Sequence, residues 1–191
     1  SALLPILPLL SNNIVKYGNI VVDSKSGVSG AGRTLKDNLL FGEVSDGFSA
    51  YGLVNHRHRP EIQSQINNSG SYKYKVLFTP HLLPIKRGIL STIYLNINDN
   101  SNYDDVVNCL KDIYSKEIFI KYSDIVPSTH DVRGTNLCKM KAVYDESTNK
   151  IIIISVIDNL IKGASGQAIQ NLNLMMGFDE SEGLINFPMF P

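Results

Sequence analysis

The sequence predicts an α+β domain in which a mixed sheet carries its helices on one face. The first observation is the continuous apolar run Lys150–Asp158, which is typical of a central strand covered on both faces. The second is the strand-like segment Lys139–Asp145, which the turn-like segment Glu146–Asn149 joins to that run as in a hairpin. The third is that few helices interrupt the strands. The clearest of them, Tyr103–Tyr114, has apolar residues at helical spacing and aspartates in its first turn.

The chain opens on an apolar run, Ser1–Leu10, which contains Pro5 and Pro8. The run is shorter than the roughly 20 apolar residues that a membrane-spanning helix needs. No basic segment precedes it, as one would in a signal peptide. The prolines limit it to a short or kinked helix. Because chain termini are usually polar, we expect a further segment to precede this run in the complete protein.

The other elements follow from local patterns along the chain. Asn19–Asp23 predicts a buried strand that leads into a loop of small residues, Ser24–Gly32. The alternation of apolar and polar residues in Gly88–Ile97 predicts another strand. The remaining predicted elements are an extended segment at Phe48–Val54, a short helix at Pro60–Ile66, a strand at Tyr74–Phe78 and a final helix at roughly Ala164–Met176.

Composition narrows the classes of function. The 191 residues are 43% hydrophobic, which is typical of a globular protein and too apolar for a disordered one. Eighteen basic and 18 acidic residues cancel, so nothing attracts a polyanion and we expect no nucleic-acid partner. Cys109 and Cys138 are too few for a disulfide framework or a zinc site. We therefore expect a protein of the reducing cytoplasm without a membrane partner or a metal.

The densest polar cluster is the segment 55–61, which contains His56, His58 and Glu61 among two arginines. A histidine titrates near neutral pH, and a carboxylate three residues later can fix its tautomer and raise its basicity. The arginines, Arg57 and Arg59, suit a phosphate or a carboxylate. The alternative is a solvated charged turn, which the flanking Asn and Pro-Glu residues make less attractive.

Three further segments carry weaker signals. The small residues of Ser24–Arg33 allow backbone N–H groups to approach an anion, although Leu35 stands where a dinucleotide fingerprint needs glycine. Arg87 precedes a strand and either reaches a ligand or caps that strand. Asp158-Asn159 ends the apolar strand, where an amide can bind a ligand or form an Asx turn.

Taken in order, these segments resemble the N-acetyl-γ-glutamyl-phosphate reductase family. The matching segments are NHRHRPEI, SGVSGAGR, FTPHLLPIKRGIL, GTNLC and DNLIKGASGQAIQNLNLMMGF, and the resemblance extends from Ser1 to Pro191. It implies the second domain of that family, a glyceraldehyde-3-phosphate-dehydrogenase-like C-terminal domain with a largely antiparallel sheet. Residues 1–191 would be one substrate-binding and dimerisation domain. The NADP-binding Rossmann domain and the nucleophilic cysteine of the family have no counterpart in the chain, and Ser1–Leu4 resembles the helix that follows that cysteine.

The resemblance also implies roles for the catalytic residues. His58 corresponds to the acid/base histidine of the family, Glu61 would support its basicity, and His56 would line the same pocket. In the complete enzyme a cysteine thiolate attacks the acyl phosphate, NADPH reduces the thioester, and His58 supplies the proton as the hemithioacetal collapses. Cys109 and Cys138 do not match the nucleophile, since neither lies at a strand-to-helix turn.

Binding roles follow in the same way. Arg57, Arg59 and Arg87 are the expected contacts for substrate phosphate or carboxylate. The residues expected to face NADP(H) in the complete enzyme are Ser26, Gly27, Ser29, Gly30 and Asn159. The last resembles the asparagine that holds the nicotinamide amide. No cofactor is expected on this chain alone, which is predicted to be inactive, and a homo-oligomer through the sheet is expected.

Two alternatives fit the same sequence features. The lysine-pathway relatives that reduce an aminoadipyl phosphate have similar motifs, and the substrate pocket would distinguish them from the arginine-pathway enzymes. A stand-alone module for binding or oligomerisation is the other alternative. The histidines, arginines and glutamate around His58 argue against such a module, because binding or oligomerisation alone would not require an acid/base cluster.

Overall fold

The structure is a computed structural model that describes residues 1–32, 34, 36–70 and 72–189. Its strands are β1 (Asn19–Gly27), β2 (Ser49–Ala50), β3 (Lys75–Leu83), β4 (Ile89–Leu95), β5 (Ile120–Tyr122), β6 (Cys138–Asp145) and β7 (Lys150–Ile157). Its α-helices are α1 (Leu3–Ser11), α2 (Phe41–Val44), α3 (His58–Ser69), α4 (Tyr103–Ile113) and α5 (Gly166–Met176). Short 3₁₀ turns cover Val28–Ala31, Asp37–Leu39 and Thr129–Val132, and a π-helical turn, Ile161–Ser165, precedes α5.

The strands form one seven-stranded sheet in the order β2-β3-β1-β4-β7-β6-β5. The pairs β1/β3 and β5/β6 are parallel, and the other four neighbouring pairs are antiparallel. The mixed, largely antiparallel sheet is therefore confirmed. The predicted hairpin is confirmed as β6 and β7, which pair from Cys138↔Ile157 to Asp145↔Lys150.

Helices α1, α3 and α4 cover one face of this sheet, as the sequence predicts. Val22, Ile93, Ile153 and Ala142 lie in register across β1, β4, β7 and β6, and all four are fully buried. The helices contribute their own buried side chains to this core, namely Ile6, Leu9, Leu10, Ile62, Ile66, Val106 and Leu110. Burial of this apolar surface is the main force that holds the two layers together.

The apolar run at the start of the chain folds as α1 although Pro8 lies inside it. A proline has no N–H, so the carbonyl of Leu4, four residues earlier, loses its helical partner. The hydroxyl of Tyr114 donates to that carbonyl oxygen at 2.6 Å. Contact with the rest of the fold thus satisfies the group that the proline leaves unpaired, and the short helix that the sequence predicts is confirmed.

Three local predictions need correction. Strand β1 runs on to Gly27, so the first part of the predicted loop Ser24–Gly32 is strand. Of the extended segment Phe48–Val54, Ser49 and Ala50 form a strand with β3, and Tyr51 adds one N–H bond to the carbonyl oxygen of Pro80. The apolar run that forms β7 is covered on both faces by this chain only at residues 155–157, since burial alternates over residues 150–154.

The second face of the sheet, opposite α1, α3 and α4, is here called the open face. One row of it is apolar in every strand from β3 to β6: Leu77, Val21, Tyr94, Ile152 and Val143 lie in register. Leu77 is 54% exposed and Val143 is 40% exposed. On the open face of β7, Ile152 and Ile154 are therefore only half-buried in the single chain, whereas Val156 is fully buried.

Helix α4 buries apolar side chains, whereas helix α5 buries polar ones and exposes apolar ones. Helix α5 buries Gly166, Gln170 and Asn173 and exposes its apolar stripe, which we define as Ile169, Leu172, Met175 and Met176. In the part of the chain that the structure describes, no helix is long and apolar enough to span a bilayer.

Candidate active site

A cleft of about 250 Å³ opens where the first turn of α1 meets the first turn of α3. It is lined by Ser1, Ala2, Leu3, Leu4, His58, Glu61 and Ile62. His58 is the first residue of α3 and Glu61 lies one turn further along the same helix. The fold thus places the predicted acid/base histidine and its carboxylate beside the N-terminus of α1.

His56 holds the start of α3 in place. Its Nδ1 accepts the backbone N–H of His58 at 3.2 Å, and its carbonyl oxygen accepts the N–H of Arg59 at 3.0 Å. The first N–H groups of a helix have no partner within the helix, so these contacts act as an N-terminal cap. An Nδ1 that accepts leaves the ring proton of neutral His56 on Nε2.

Aromatic rings surround His56. Its ring centroid lies 5.2 Å from Phe78, 5.4 Å from Tyr51 and 4.9 Å from His58. Burial, and then the charges of His58 and Arg57, lower the pKa of His56. These neighbours favour a neutral His56, which fits a residue that accepts a hydrogen bond better than one that carries charge. Tyr51 was not a candidate from the sequence, and no local motif marks it.

Glu61 shares the cleft with His58, but among the described residues no hydrogen bond or ion pair joins the two side chains. Glu61 lies in the first turn of α3, where the positive end of the helix dipole stabilises a negative charge. Support of His58 by Glu61 therefore remains a prediction.

The two arginines of this segment differ in their surroundings. Arg59 donates from Nη1 to the carbonyl oxygen of Val54 at 2.9 Å, and Val54 has a positive φ of 67°. Arg59 thus stabilises the loop that leads into α3. Arg57 is exposed and immediately precedes the helix. Of the two, Arg57 is therefore the more available for an anionic ligand, and its predicted role stays a prediction.

Arg87 is held by Asp158. Its Nε and Nη2 atoms lie 2.8–3.2 Å from both carboxylate oxygens of Asp158, whose side chain is fully buried. Asp158 also accepts the backbone N–H groups of Gly134, Leu160 and Ile161. The Asx turn that the sequence allows at this position is confirmed, whereas the ion pair joins residues 71 positions apart and has no local signal. Asp158 occupies Nε and Nη2 of Arg87, so a contact between Arg87 and substrate would have to come from its Nη1 atom.

The residues predicted to face a cofactor do lie together. Asn159 Nδ2 donates to Ser29 Oγ at 2.9 Å, and Asn159 Oδ1 accepts the N–H of Gly88 at 2.7 Å. A Cβ on Gly30 would lie 3.3 Å from Ser26 Oγ and 3.4 Å from Asn159 Nδ2. Gly27 is packed against backbone atoms of the segment before β4. Arg33, at the end of this predicted loop, lies outside the described residues.

Neither cysteine lies in an environment that favours a thiolate. Cys109 is on α4, and burial together with the charge of Asp112 raises the pKa of its thiol. Cys138 is fully buried at the start of β6, with its Sγ 3.5 Å from Ser155 Oγ. A nucleophile needs an exposed thiol of depressed pKa, so this geometry supports leaving both out of the site.

The semialdehyde dehydrogenase dimerisation-domain family matches residues 1–159 of the chain. The chain belongs to this family. Within it, the chain is 49% identical over 190 residues to a probable chloroplastic N-acetyl-gamma-glutamyl-phosphate reductase of Arabidopsis thaliana, an alignment that covers 98% of the chain and 47% of the relative. It is 45% identical over 193 residues to an N-acetyl-gamma-glutamyl-phosphate reductase of Staphylococcus saprophyticus, covering 100% of the chain and 56% of the relative. The chain thus spans about half the length of the curated relatives it matches.

Solved structures of aspartate semialdehyde dehydrogenases share the fold at low sequence identity. Aspartate semialdehyde dehydrogenase II from Vibrio cholerae matches 92% of the chain and 59% of its own length, with a TM-score of 0.69 and 17% identity. Aspartate semialdehyde dehydrogenase from Francisella tularensis matches 91% of the chain and 61% of its own length, with a TM-score of 0.68 and 12% identity. At these identities the likeness concerns the fold, and it confirms the predicted architecture.

Proposed function

We propose that this chain is the catalytic and dimerisation domain of an N-acetyl-γ-glutamyl-phosphate reductase, which reduces an acyl phosphate to a semialdehyde. The observation that carries the proposal is the cleft in which His58 and Glu61 face the first turn of α1. That turn presents a helix N-terminus, where an anion is favoured. The names of the relatives support the substrate class. We place the protein in the cytoplasm, while the name of the Arabidopsis relative places that protein in the chloroplast.

In the proposed reaction, residues of this chain bind the acyl phosphate, transfer a proton and hold the acid/base histidine in place. The helix N-terminus and the exposed Arg57 attract the acyl phosphate to the cleft. A thiolate placed just before α1 attacks the acyl carbon and releases phosphate, as the family resemblance implies. When the thioester is reduced, His58 gives a proton to the oxygen of the hemithioacetal that forms. As the hemithioacetal collapses, His58 takes that proton back from the oxygen, the C–S bond breaks, and the aldehyde and the thiolate separate, so the proton that the family resemblance assigns to His58 is supplied at formation of the hemithioacetal and not at its collapse. His56 keeps His58 at the start of α3.

The cluster of Ser29, Gly30 and Asn159 fits a nicotinamide cofactor. Asn159 uses one amide hydrogen and one lone pair in the bonds described above, so among the described residues it keeps a second donor and a second acceptor. A carboxamide needs one of each. NADPH, when bound, supplies the hydride for the reduction. Ser29 and Gly88 fix the orientation of the Asn159 amide before any ligand binds.

The open face supports self-association. Its apolar row of Leu77, Val21, Tyr94, Ile152 and Val143 crosses five strands, and exposed apolar patches of this extent mark interaction sites. A second copy of the same sheet would cover the row on both subunits at once, as a two-fold dimer does. We therefore propose a homo-oligomer that forms through the open face.

A second unpartnered surface is the apolar stripe of α5. Along the chain, it follows the segment that carries Asn159. The relatives are about twice as long as the chain, and we assign this surface to contact with a cofactor-binding domain in the complete enzyme. Such a contact would place that domain next to Asn159 and the cleft.

The test is an assay of the complete reductase that contains this chain, in parallel with the 191-residue chain alone. We expect oxidation of NADPH with N-acetyl-γ-glutamyl phosphate for the complete enzyme and none for the chain alone. A preference for the aminoadipyl phosphate would assign the protein to the lysine-pathway relatives instead. Inactivity of the complete enzyme with both substrates would favour a module without catalytic function, and turnover by the chain alone would contradict the proposed division of the site.

A further inference from the structure

Three buried serines form a row across the middle of the sheet. Ser24 on β1, Ser91 on β4 and Ser155 on β7 are paired in register on the face that the helices cover. Ser91 and Ser155 are fully buried, and Ser24 is nearly so. The adjacent row on the same three strands is entirely apolar and consists of Val22, Ile93 and Ile153. Burial of a hydroxyl costs free energy unless it is hydrogen-bonded, so each serine needs a partner within the fold.

The hydroxyl of Ser91 links the sheet to the start of α1. Its Oγ lies 2.8 Å from the Oγ of Ser24 on one side and 2.8 Å from the Oγ of Ser1 on the other. A hydroxyl has one proton to donate and lone pairs to accept, so Ser91 can bond to both neighbours at once. Ser24, Ser91 and Ser1 therefore form a chain of three hydroxyls, which runs from β1 through β4 to the segment that enters α1.

The start of α1 depends on contacts of this kind, because its own cap is weak. Ala2 is the N-cap residue and makes no side-chain hydrogen bond to the first turn, and alanine caps a helix poorly. Two side chains from other elements hold the turn instead. Ser91 bonds to Ser1 from the sheet, and Tyr114, after α4, donates to the carbonyl oxygen of Leu4 at 2.6 Å. The turn that they hold forms one wall of the cleft.

Ser155 shows what a serine of this row does away from the cleft. It is paired with Ser91 and equally buried, but its Oγ lies 3.5 Å from the Sγ of Cys138 on the neighbouring strand β6, so it stays within the sheet. The hydroxyl of Ser91 instead reaches Ser1, which lines the cleft together with His58. Replacing a buried pair of hydrogen-bonded groups by apolar ones is often neutral for stability, so packing alone does not call for a hydroxyl at position 91.

We propose that Ser91 is a positioning residue whose hydroxyl fixes Ser1, and with it the segment that enters α1, across the cleft from His58. This inference rests on the proposed function, which places the nucleophile just before α1 and the acid/base histidine at the start of α3. The bond to Ser1 limits how far that segment can move relative to His58. Because Ser91 is fully buried, it acts through Ser1 and does not touch substrate. Ser24 orients the Ser91 hydroxyl from the other side.

The test compares Ser91→Ala with Ser155→Ala in the complete reductase by steady-state kinetics. Both variants remove one fully buried hydroxyl from the same row, but only Ser91→Ala releases Ser1. A displacement of about 1 Å between reacting groups can cost about 10²-fold in rate, so loss of this one bond should lower kcat about tenfold. The KM for NADPH should stay unchanged. Ser155→Ala is the matched control and should keep the wild-type kcat.

Ser1→Ala removes the other end of the same bond at a half-buried position, so it carries the test if Ser91→Ala does not fold. It should lower kcat by the same factor as Ser91→Ala. The double variant should lose no more than either single variant, because all three lack the same hydrogen bond. Hydrogen exchange gives a readout without turnover: the amides of Ile6 and Leu7, which close the first turn of α1, should exchange faster in Ser91→Ala and Ser1→Ala but not in Ser155→Ala.

The outcomes separate this inference from the function on which it rests. A wild-type kcat in Ser1→Ala, equal losses in Ser91→Ala and Ser155→Ala, or additive losses in the double variant would each overturn the role of Ser91 and leave the proposed function intact. A wild-type reductase that reduces neither acyl phosphate would remove the proposed function and the catalytic role of Ser91 with it. Hydrogen exchange would still decide whether Ser91 holds the start of α1.

Discussion

Arg87 and Asp158 form a bidentate ion pair that joins the segment before β4 to the end of β7, with both carboxylate oxygens 2.8–3.2 Å from the guanidinium nitrogens. The next residue along each segment repeats the connection, because Asn159 accepts the N–H of Gly88 at 2.7 Å. The Asp158 carboxylate also accepts a hydrogen bond from the backbone N–H of Gly134. One buried aspartate thus fixes three segments around the proposed cofactor cluster.

Asp158→Asn should destabilise the fold by about 3–5 kcal/mol, the range for removing one partner from a buried ion pair. The variant would leave the Arg87 guanidinium without a counter-charge, and its side chain, which is only 22% exposed, would gain little solvation from water in exchange. Urea unfolding of the chain measures the loss. The matched control is Asp99→Asn, which breaks the exposed ion pair of Asp99 with Lys16 at 2.7 Å and should cost at most about 1 kcal/mol. Equal losses in the two variants would contradict this assignment.

The same aspartate predicts a dependence of stability on acid. Burial acts to raise the pKa of Asp158, but the N–H of Gly134 and the Arg87 guanidinium outweigh it, and the pKa lies below the ordinary value of 3.8. The stabilisation is therefore complete above about pH 4 and is lost as the pH falls through the lowered pKa. Wild-type stability should fall steeply below pH 4, and that of Asp158→Asn should fall less. Parallel pH profiles of the two proteins would exclude Asp158 as the cause.

The sequence predicts the sheet, its hairpin and the amphipathic helix because each depends on a local period. In the structure, alternate residues of β4 are buried, and Val106 and Leu110 lie on the buried side of α4. The aspartates of that helix lie in its first turn as expected, and Asp105 in addition forms a capping box with Asn102. The resemblance placed His58 and Glu61 in one site, and the cleft is consistent with that placement.

What the sequence does not predict depends on contacts between distant segments. The run of isoleucines in β7 predicts burial on both faces, but it does not say whether this chain or a second one provides the cover. Arg87 and Asp158 are separated by 71 residues, and Tyr114 reaches Leu4 across 110. The burial of Lys162 has no local signal either, because its acceptor Gln170 lies on α5 and Asn136, which shares that acceptor, lies before β6.

His58→Asn in the complete reductase should reduce the rate by about 10²–10⁴, the usual contribution of a positioned acid/base group. Asparagine keeps a polar side chain at the first position of α3 but does not transfer a proton near neutral pH. Steady-state kinetics measure kcat and KM separately, and the loss should lie mainly in kcat. Gln65→Ala, on the exposed side of the same helix, is the control. A near-wild-type kcat would remove His58 from its role.

His56→Ala should weaken the start of α3, because the N–H of His58 loses its acceptor at 3.2 Å. Loss of a helix cap costs about 0.5–2 kcal/mol. Since burial lowers the pKa of His56 below its ordinary 6.5, the neutral ring is the form that the fold prefers. This contribution is present above pH 6.5 and is lost as the pH falls through the lowered pKa.

Hydrogen exchange of the first turn of α3 measures the effect of His56. Exchange should accelerate in the wild type as the pH falls through the lowered pKa of His56, after correction for the intrinsic rate, and should be fast at every pH in His56→Ala. His56→Asn restores an acceptor and should protect the turn at low pH as well. Protection that does not depend on pH in the wild type would show that His56 is not the cap.

Gly27→Ala should destabilise the cluster around Asn159. A Cβ on Gly27 would lie 2.8 Å from the carbonyl oxygen of Ile85 and 3.0 Å from the N atom of Arg87, and neither backbone atom can move without shifting the Arg87 segment. Overpacking of this kind costs about 1–3 kcal/mol. Gly42→Ala, where a Cβ meets nothing within 4 Å, is the control and should be neutral or slightly stabilising. Thermal unfolding distinguishes the two, and an unchanged melting temperature in Gly27→Ala would contradict the packing argument.

Leu77→Glu should convert the proposed dimer into monomers. Leu77 is 54% exposed at one end of the apolar row on the open face, so a carboxylate there costs the isolated chain little. In a two-fold dimer both copies would bury that charge, and the dissociation constant should rise at least about tenfold. Sedimentation velocity measures the change. Ile125→Glu alters a residue that is 74% exposed outside the strands and should leave the assembly unchanged. If Leu77→Glu stays dimeric at the wild-type concentration, or if both variants dissociate, the open face is not the interface.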